Sequence, residues 1–224
     1  MTNVFISRDL SPDSVFKQLL EGQGLNVIGQ SLIECTPVAF GECKAVDWLF
    51  FYSKNGVRYF FEGLKQPLLP SIRFAAMGLG TASILQQYGY TVDFIGTGHP
   101  DSTASAFLKV AKQQRVLFPR AKNSQKSIQG LLGTTIKMEE IVVYTNNPKP
   151  HFHIPYCGYL VFTSPLNAQA YFSEKTLKKG QDIIAIGNTT ATALKKMGVI
   201  DIYIAAYPSE KAMAALIVAI QNRK

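Results

Sequence analysis

Several short stretches carry side chains able to do chemistry. After the apolar run Ile184-Ala185-Ile186, the residues Gly187-Asn188-Thr189-Thr190-Ala191 read as a glycine corner opening a helix that stops at Gly198. Gly187 suits a tight corner, and Asn188, Thr189 or Thr190 can each cap the helix with a side-chain oxygen. Unpaired N–H groups and the helix dipole at such a start attract anions, although the threonines can also serve as caps and nothing more. The same grammar recurs at Met77-Gly78-Leu79-Gly80-Thr81-Ala82, and hydroxyls end two further apolar runs, at Ser53 and Ser164. Tyr144 closes the apolar run Ile141-Val142-Val143. There it is either a packed ring with a wet hydroxyl or a group that takes part in catalysis. His151 and His153 flank Phe152 in a proline-rich loop without a nearby cysteine or carboxylate, so no metal site is expected. Gly78-Leu79-Gly80 lacks the following acid that a dinucleotide site needs, no lysine-containing phosphate loop is present, and no cofactor is expected.

These residues are spaced by a rule. Thr81 and Thr190 are 109 positions apart, Ser53 and Ser164 are 111, and Arg8 and Arg120 are 112. Three motifs in one order at nearly one offset argue for an internal duplication, with each half expected to form one α/β unit. Strands are predicted at 4–7, 25–28, 48–52, 73–77, 92–95, 116–118, 159–163, 182–186 and 201–205, alternating with short helices. That pattern predicts parallel sheets covered on both faces. The first helix is expected to open at Ser11-Pro12-Asp13 and to turn Val15, Phe16, Leu19 and Leu20 to one face. A short helix is expected over 125–132, and another opens at Ser209. The extended pieces 31–36 and 140–145, each followed by a proline, look like crossings between two lobes, where ligand clefts form.

Composition narrows the class. The chain has 224 residues, 47% hydrophobic and 17% charged, which suits packed cores rather than disorder. The longest wholly apolar run, 212–220, is far short of a membrane span, and Arg8 and Asp9 interrupt the N-terminal apolar segment, so no secretory signal is expected. Three cysteines without close spacing fit a reducing cytoplasm. The net charge of +8 points to acidic partners, but the basic residues are scattered and no nucleic-acid-binding module is recognisable.

The ordered set Val4-Phe5-Ile6-Ser7-Arg8, Phe51-Tyr52-Ser53-Lys54-Asn55-Gly56-Val57, Val142-Val143-Tyr144, Phe162-Thr163-Ser164-Pro165 and Ile186-Gly187-Asn188-Thr189-Thr190-Ala191 resembles the uroporphyrinogen-III synthases along essentially the whole chain. The resemblance implies a monomeric cytoplasmic lyase that cyclises hydroxymethylbilane, a linear tetrapyrrole, to uroporphyrinogen III with inversion of ring D and loss of water. It implies no cofactor, no metal, and neither nucleic acid nor membrane as partner. It further implies two similar α/β domains, each a parallel sheet flanked by helices, joined by two extended linkers with the active site in the cleft. Residues 1–31 with 147–224 would form a discontinuous domain, 36–143 an inserted one, and 32–35 and 144–146 the linkers.

The resemblance places Tyr144 at the leaving hydroxyl, as acid or hydrogen-bond donor; an ordinary tyrosine stays protonated at neutral pH. Thr189, Thr190 and Ser164 would bind substrate carboxylates from one lobe, Ser53 and Thr81 from the other, with Arg8 a further candidate. Where the family often carries a lysine before the second corner, this chain reads Asp182-Ile183-Ile184-Ala185. The alternatives are a non-catalytic two-lobed binding protein for a small polyanion and, on the charge alone, a nucleic-acid-binding module.

Overall fold

The computed structural model describes every residue except Met1, Lys44, Gln125 and Lys224, so the first position of the helix expected over 125–132 lies outside the described residues. In chain order the elements are β1 (Asn3–Ile6), α1 (Val15–Glu21), β2 (Asn26–Gly29), β3 (Ile33–Pro37), β4 (Trp48–Phe51), α2 (Lys54–Gly63), β5 (Arg73–Ala76), α3 (Leu79–Gln87), β6 (Phe94–Ile95) and α4 (Pro100–Ala111). They continue as β7 (Arg115–Ala121), α5 (Ser127–Leu132), β8 (Lys137–Pro148), β9 (Tyr159–Phe162), α6 (Pro165–Glu174), β10 (Asp182–Ala185), α7 (Asn188–Lys196), β11 (Ile202–Ile204) and α8 (Glu210–Gln221). The chain divides into a discontinuous unit, Met1–Glu34 with Asn147–Lys224, and a continuous unit, Cys35–Asn146.

In the continuous unit the sheet order is β3-β8-β7-β4-β5-β6, and the pairs from β8 to β6 are parallel. β3 runs antiparallel along β8, with Val38 N–H donating to Val143 O at 2.9 Å and the Thr36 and Thr145 hydroxyls 2.7 Å apart. Period-two alternation sorts the side chains: Leu49, Phe51 and Phe74 pack with Val57 and Phe60 of α2 and Leu85 of α3. Trp48, Phe50 and Phe118 pack with Phe107 of α4 and Ile128 of α5. A central strand buried on both faces must be apolar throughout, and Trp48-Leu49-Phe50-Phe51 is.

The discontinuous unit has the order β11-β10-β9-β1-β2, parallel throughout. Read from the other edge it repeats β8-β7-β4-β5-β6 strand for strand, with α1 and α8 on one face and α6 and α7 on the other. The duplication is therefore visible in space, but the expectation that each half makes one unit is overturned. The first half gives β1 and β2 to the discontinuous unit and β4, β5 and β6 to the continuous one; the second half divides the same way. The central strands β4 and β9 explain the exchange. Each needs a parallel neighbour on both edges, and β7 and β1 supply the second neighbour from the other half.

The first helix starts later than expected. Ser14, not Ser11, is its cap, its Oγ accepting from Lys17 N–H at 3.3 Å, while Ser11-Pro12-Asp13 forms a turn closed by Ser14 N–H to Ser11 O. Of the expected face only Phe16 and Leu20 are buried; Val15 and Leu19 stay 46% and 43% exposed. Ser14 Oγ also donates to Glu210 Oε2 at 2.8 Å, which fixes the rotation of α1 against α8.

Candidate active site

In both sheets the chain runs outward from the central strand and returns to its opposite side, so the carboxyl ends of β4 and β7, and of β9 and β1, flank topological switch points where α/β proteins bind ligands. Of the residues singled out from the sequence, Ser53, Ser164 and Arg8 follow β4, β9 and β1, Thr81 follows β5, Thr189 and Thr190 follow β10, and Tyr144 lies within β8 opposite the end of β7.

In the continuous unit, Ser53 follows β4 and caps α2, its Oγ accepting from Gly56 N–H at 3.1 Å. The phenolic oxygen of Tyr144 on β8 lies 3.3 Å from the same Oγ. The β7–β8 ladder slips by one residue here, pairing Arg120 with Val142 but Ala121 with Tyr144. This bulge leaves the consecutive residues Val143 and Tyr144 in one apolar cluster, where strict alternation would turn one of them away. Tyr144 is only 8% exposed. Burial pushes its hydroxyl above the ordinary tyrosine range, the Ser53 hydrogen bond opposes this, and Cys35 and Tyr59 add to it, so the group is a phenol at neutral pH. Ser53 spends one lone pair on Gly56 N–H and keeps its own proton. When that proton is donated to the Tyr144 oxygen, the phenolic proton is free for a ligand.

Around this pair stand groups the sequence did not single out. The ring of Tyr59 stacks on Tyr144 with centroids 5.1 Å apart and planes at 21°. The Tyr59 hydroxyl donates to Cys35 O at 2.9 Å, and Asn55 Nδ2 approaches Cys35 Sγ at 3.4 Å. Burial pushes the Cys35 thiol up, with the Asn55 contact opposing, so it is not a ready nucleophile.

Ser53 and Thr81 line one hollow of about 600 Å³, open to solvent, at the carboxyl ends of β4, β5 and β6. Its floor requires glycine: a Cβ on Gly96 would lie 2.6 Å from Met77 O and 2.4 Å from Thr103 Cγ2. No side chain caps α3, and the Lys54 side chain reaches its first turn, with Cε 3.2 Å from where a Cβ on Gly80 would stand. A cation beside a helix N-terminus is unfavourable alone and becomes favourable with an anion between them.

The discontinuous unit varies the theme. Ser164 follows β9 and caps α6, its Oγ accepting from Asn167 N–H at 3.2 Å and from Asn167 Nδ2 at 3.0 Å. The other end of that buried amide, Oδ1, accepts from Leu32 N–H at 2.7 Å. At the switch point Ser7 Oγ accepts from Thr163 N–H and Thr163 Oγ1 donates to Ser7 O, both at 2.9 Å. Thr189 lies exposed at the start of α7, whereas Thr190 is 2% exposed, matching Thr81 at 7%. The expected threonine caps are not made. Gly187 and Gly78 themselves occupy the cap positions, so the threonines fall inside the first turn.

Arg8, 37% exposed, has Nη1 3.8 Å from Glu210 Oε1, while Glu210 Oε2 accepts from Ser14 Oγ and Phe16 N–H. Arg120 is committed instead: Nε and Nη2 each lie 2.9 Å from Glu140 Oε2, and Nη1 donates to Ala121 O and Lys122 O. Tyr144 and Ser53 are thus in hydrogen-bond reach, Ser53 and Thr81 share a hollow, and Ser164, Thr189, Thr190 and Arg8 sit at the ends of β9, β10 and β1. Comparing the two repeats position by position could have flagged Asn167, because it stands against Gly56. No local signal marks Tyr59.

Two doubly wound sheets built from one duplicated sequence, with serine-capped corners at both switch points and a buried phenol at one, define a two-domain α/β class. Within that class, the family model for uroporphyrinogen-III synthase HemD matches residues 14–215, and the chain belongs to the uroporphyrinogen-III synthase family. It is 30% identical to uroporphyrinogen-III synthase of Chlorobaculum parvum (strain DSM 263 / NCIMB 8327), covering 89% of this chain and 91% of that protein. The crystal structure of uroporphyrinogen-III synthetase from Helicobacter pylori 26695 superposes with a TM-score of 0.77 at 26% identity, covering 98% of this chain and all of that one. A mutant uroporphyrinogen III synthase from the extremely thermophilic bacterium Thermus thermophilus shares the fold, with a TM-score of 0.63 at 17% identity and full coverage of both chains.

Proposed function

We propose that the chain, as a uroporphyrinogen-III synthase, cyclises hydroxymethylbilane to uroporphyrinogen III, and that Tyr144 donates its proton to the departing hydroxyl. The observation supporting the second part is the 3.3 Å contact between the hydroxyls of the buried Tyr144 of β8 and of Ser53 at the start of α2. As the C–O bond breaks, the phenolic proton goes to the leaving oxygen and water departs, leaving an azafulvene cation. Attack at the substituted carbon of the last ring gives a spiro intermediate, and its rearrangement inverts that ring. The proton lost when the pyrrole regains aromaticity restores the phenol. Holding the flexible chain in this geometry is what lets inversion outrun spontaneous closure.

The substrate carries acetate and propionate groups on every ring. Thr81 and Lys54 in the continuous unit, and Ser164, Thr189, Thr190 and Arg8 in the discontinuous one, offer those carboxylates donors with few fixed charges, while the Ser53 proton is given either to a carboxylate before reaction or to Tyr144 during it. The buried Thr81 and Thr190 take part through the backbone N–H groups of their helix turns. The reading is of a monomer acting in the cytoplasm on a small polyacid, without cofactor or nucleic acid; no described helix is long and apolar enough to cross a membrane. Supplying hydroxymethylbilane to the purified chain and resolving the porphyrinogen isomers tests it. The type III isomer is expected as the main product; binding with only type I at the spontaneous rate would overturn it.

A further inference from the structure

We propose that Tyr59 is a positioning residue that sets the direction of the Tyr144 hydroxyl by clamping its ring. This rests on the reading of Tyr144 as the proton donor. A phenol turns about its side-chain bonds, and one contact at its tip does not fix where the proton points. The Ser53 contact, at 3.3 Å, is long for an O–H···O bond. What holds the ring is the face of Tyr59, nearly parallel at 5.1 Å. Tyr59 is held in turn: its hydroxyl donates to Cys35 O on β3 at 2.9 Å, and its backbone sits on α2, the helix that Ser53 caps. Two residues on one rigid helix thus grip Tyr144, Ser53 at the hydroxyl and Tyr59 on the ring face. The duplicated helix α6 has Ala170 at the position of Tyr59, so the clamp is present only in the unit that carries the tyrosine.

The groups facing Tyr144 are Ser53 and Tyr59 from α2 and Cys35 from β3. Removing the Tyr59 ring opens one side of the phenol to water, which lowers the pH at which it ionises.

The test compares Tyr59→Leu, Tyr59→Phe, Tyr144→Phe and the double variant Tyr59→Leu/Tyr144→Phe, with Tyr59→Gln as a second ring-deleting change suited to a helix surface. An aromatic pair contributes about 0.5–1.5 kcal/mol, roughly a two- to twelvefold rate effect. Tyr59→Leu and Tyr59→Gln are expected to lower kcat by about that factor, leave KM unchanged, and move the alkaline limb of kcat to lower pH. Tyr59→Phe, which keeps the ring, should stay near the parent rate. The double variant should be no slower than Tyr144→Phe alone, because a clamp has no effect without the group it clamps. Unchanged kcat and alkaline limb in both ring-deleting variants, or a loss that multiplies onto that of Tyr144→Phe, would overturn the clamp while leaving Tyr144 in place. Parent-level turnover by Tyr144→Phe would overturn the reading beneath it.

Discussion

The two serine corners descend from one sequence and have been put to different use. In the discontinuous unit the Asn167 side chain bonds to Ser164 Oγ and to the Leu32 backbone, so the Ser164 oxygen accepts twice, from the Asn167 N–H and its amide, and is held on one side by a buried amide. In the continuous unit glycine stands where Asn167 would be, that amide is missing beside Ser53, and the vacant side of its hydroxyl faces a phenol. A satisfied buried network rigidifies, whereas a hydroxyl with a free proton beside an acid can relay one. Under the proposed mechanism one corner serves stability and the other chemistry.

Arg120, near the end of β7, and Arg8, just after the equivalent strand β1, sharpen this contrast and give the largest expected effect. Removing Arg120 takes two donors from Glu140, which keeps Lys126 and Gln129, and two more from the Ala121 and Lys122 carbonyls; burial raises the Glu140 pKa, but the bonds and charges of Lys126 and Arg120 bring it below its usual 4.5. Arg120→Ala is expected to cost about 3 kcal/mol in urea unfolding. Because the folded pKa is depressed, that stabilisation is present above the unfolded pKa and fades as pH falls through the folded one, so the parent and the variant should converge in acid. Asn167→Ala leaves Leu32 N–H without its partner and should cost about 2 kcal/mol, read as a shift of the urea midpoint. The two serines separate the roles most clearly. Ser53→Ala and Ser164→Ala should each lose about 1 kcal/mol of helix capping, but only Ser53→Ala should also lower kcat, by roughly tenfold, with Ser164→Ala acting on KM. Equal kcat losses at both serines would erase the distinction. The smallest effect belongs to Arg8→Ala, below about 0.5 kcal/mol in stability because its ion pair is long and partly exposed, with its consequence in KM.

Much of this was legible in the sequence, for reasons that can be named. Apolar strands alternating with short helices dictated parallel sheets, and the constant offset between Thr81 and Thr190 and between Ser53 and Ser164 revealed the duplication. Which strands pair is another matter. An offset records descent, not adjacency, so the exchange of β1–α1–β2 and β7–α5–β8 between halves could not be read from the repeat itself and was implied only by the family resemblance. Ser53 and Ser164 stood out because each follows an apolar strand and caps a helix, and Tyr144 because it closes an apolar run, although β8 continues past it to Pro148. The threonines were misread as caps because the sequence alone let the helix start be placed one to three residues too late, whereas Gly187 and Gly78 themselves hold the cap positions. Tyr59 could not be seen: its contact with Tyr144 joins a helix to a distant strand whose phase depends on the bulge after Arg120. The unequal fates of Arg8 and Arg120 were equally silent, since they are decided by Glu210 and Glu140, carboxylates that arrive from other elements.

The claim on which the rest depends is that the Tyr144 phenol supplies the proton for loss of the substrate hydroxyl. The most direct measurement is single-turnover cyclisation of hydroxymethylbilane by Tyr144→Phe, shown to be folded by an unchanged urea transition, with the isomers resolved. General-acid loss predicts a fall in the enzymatic rate of about a hundredfold or more, with type I overtaking type III as spontaneous closure takes over. Parent-rate formation of type III by the folded variant would contradict the account.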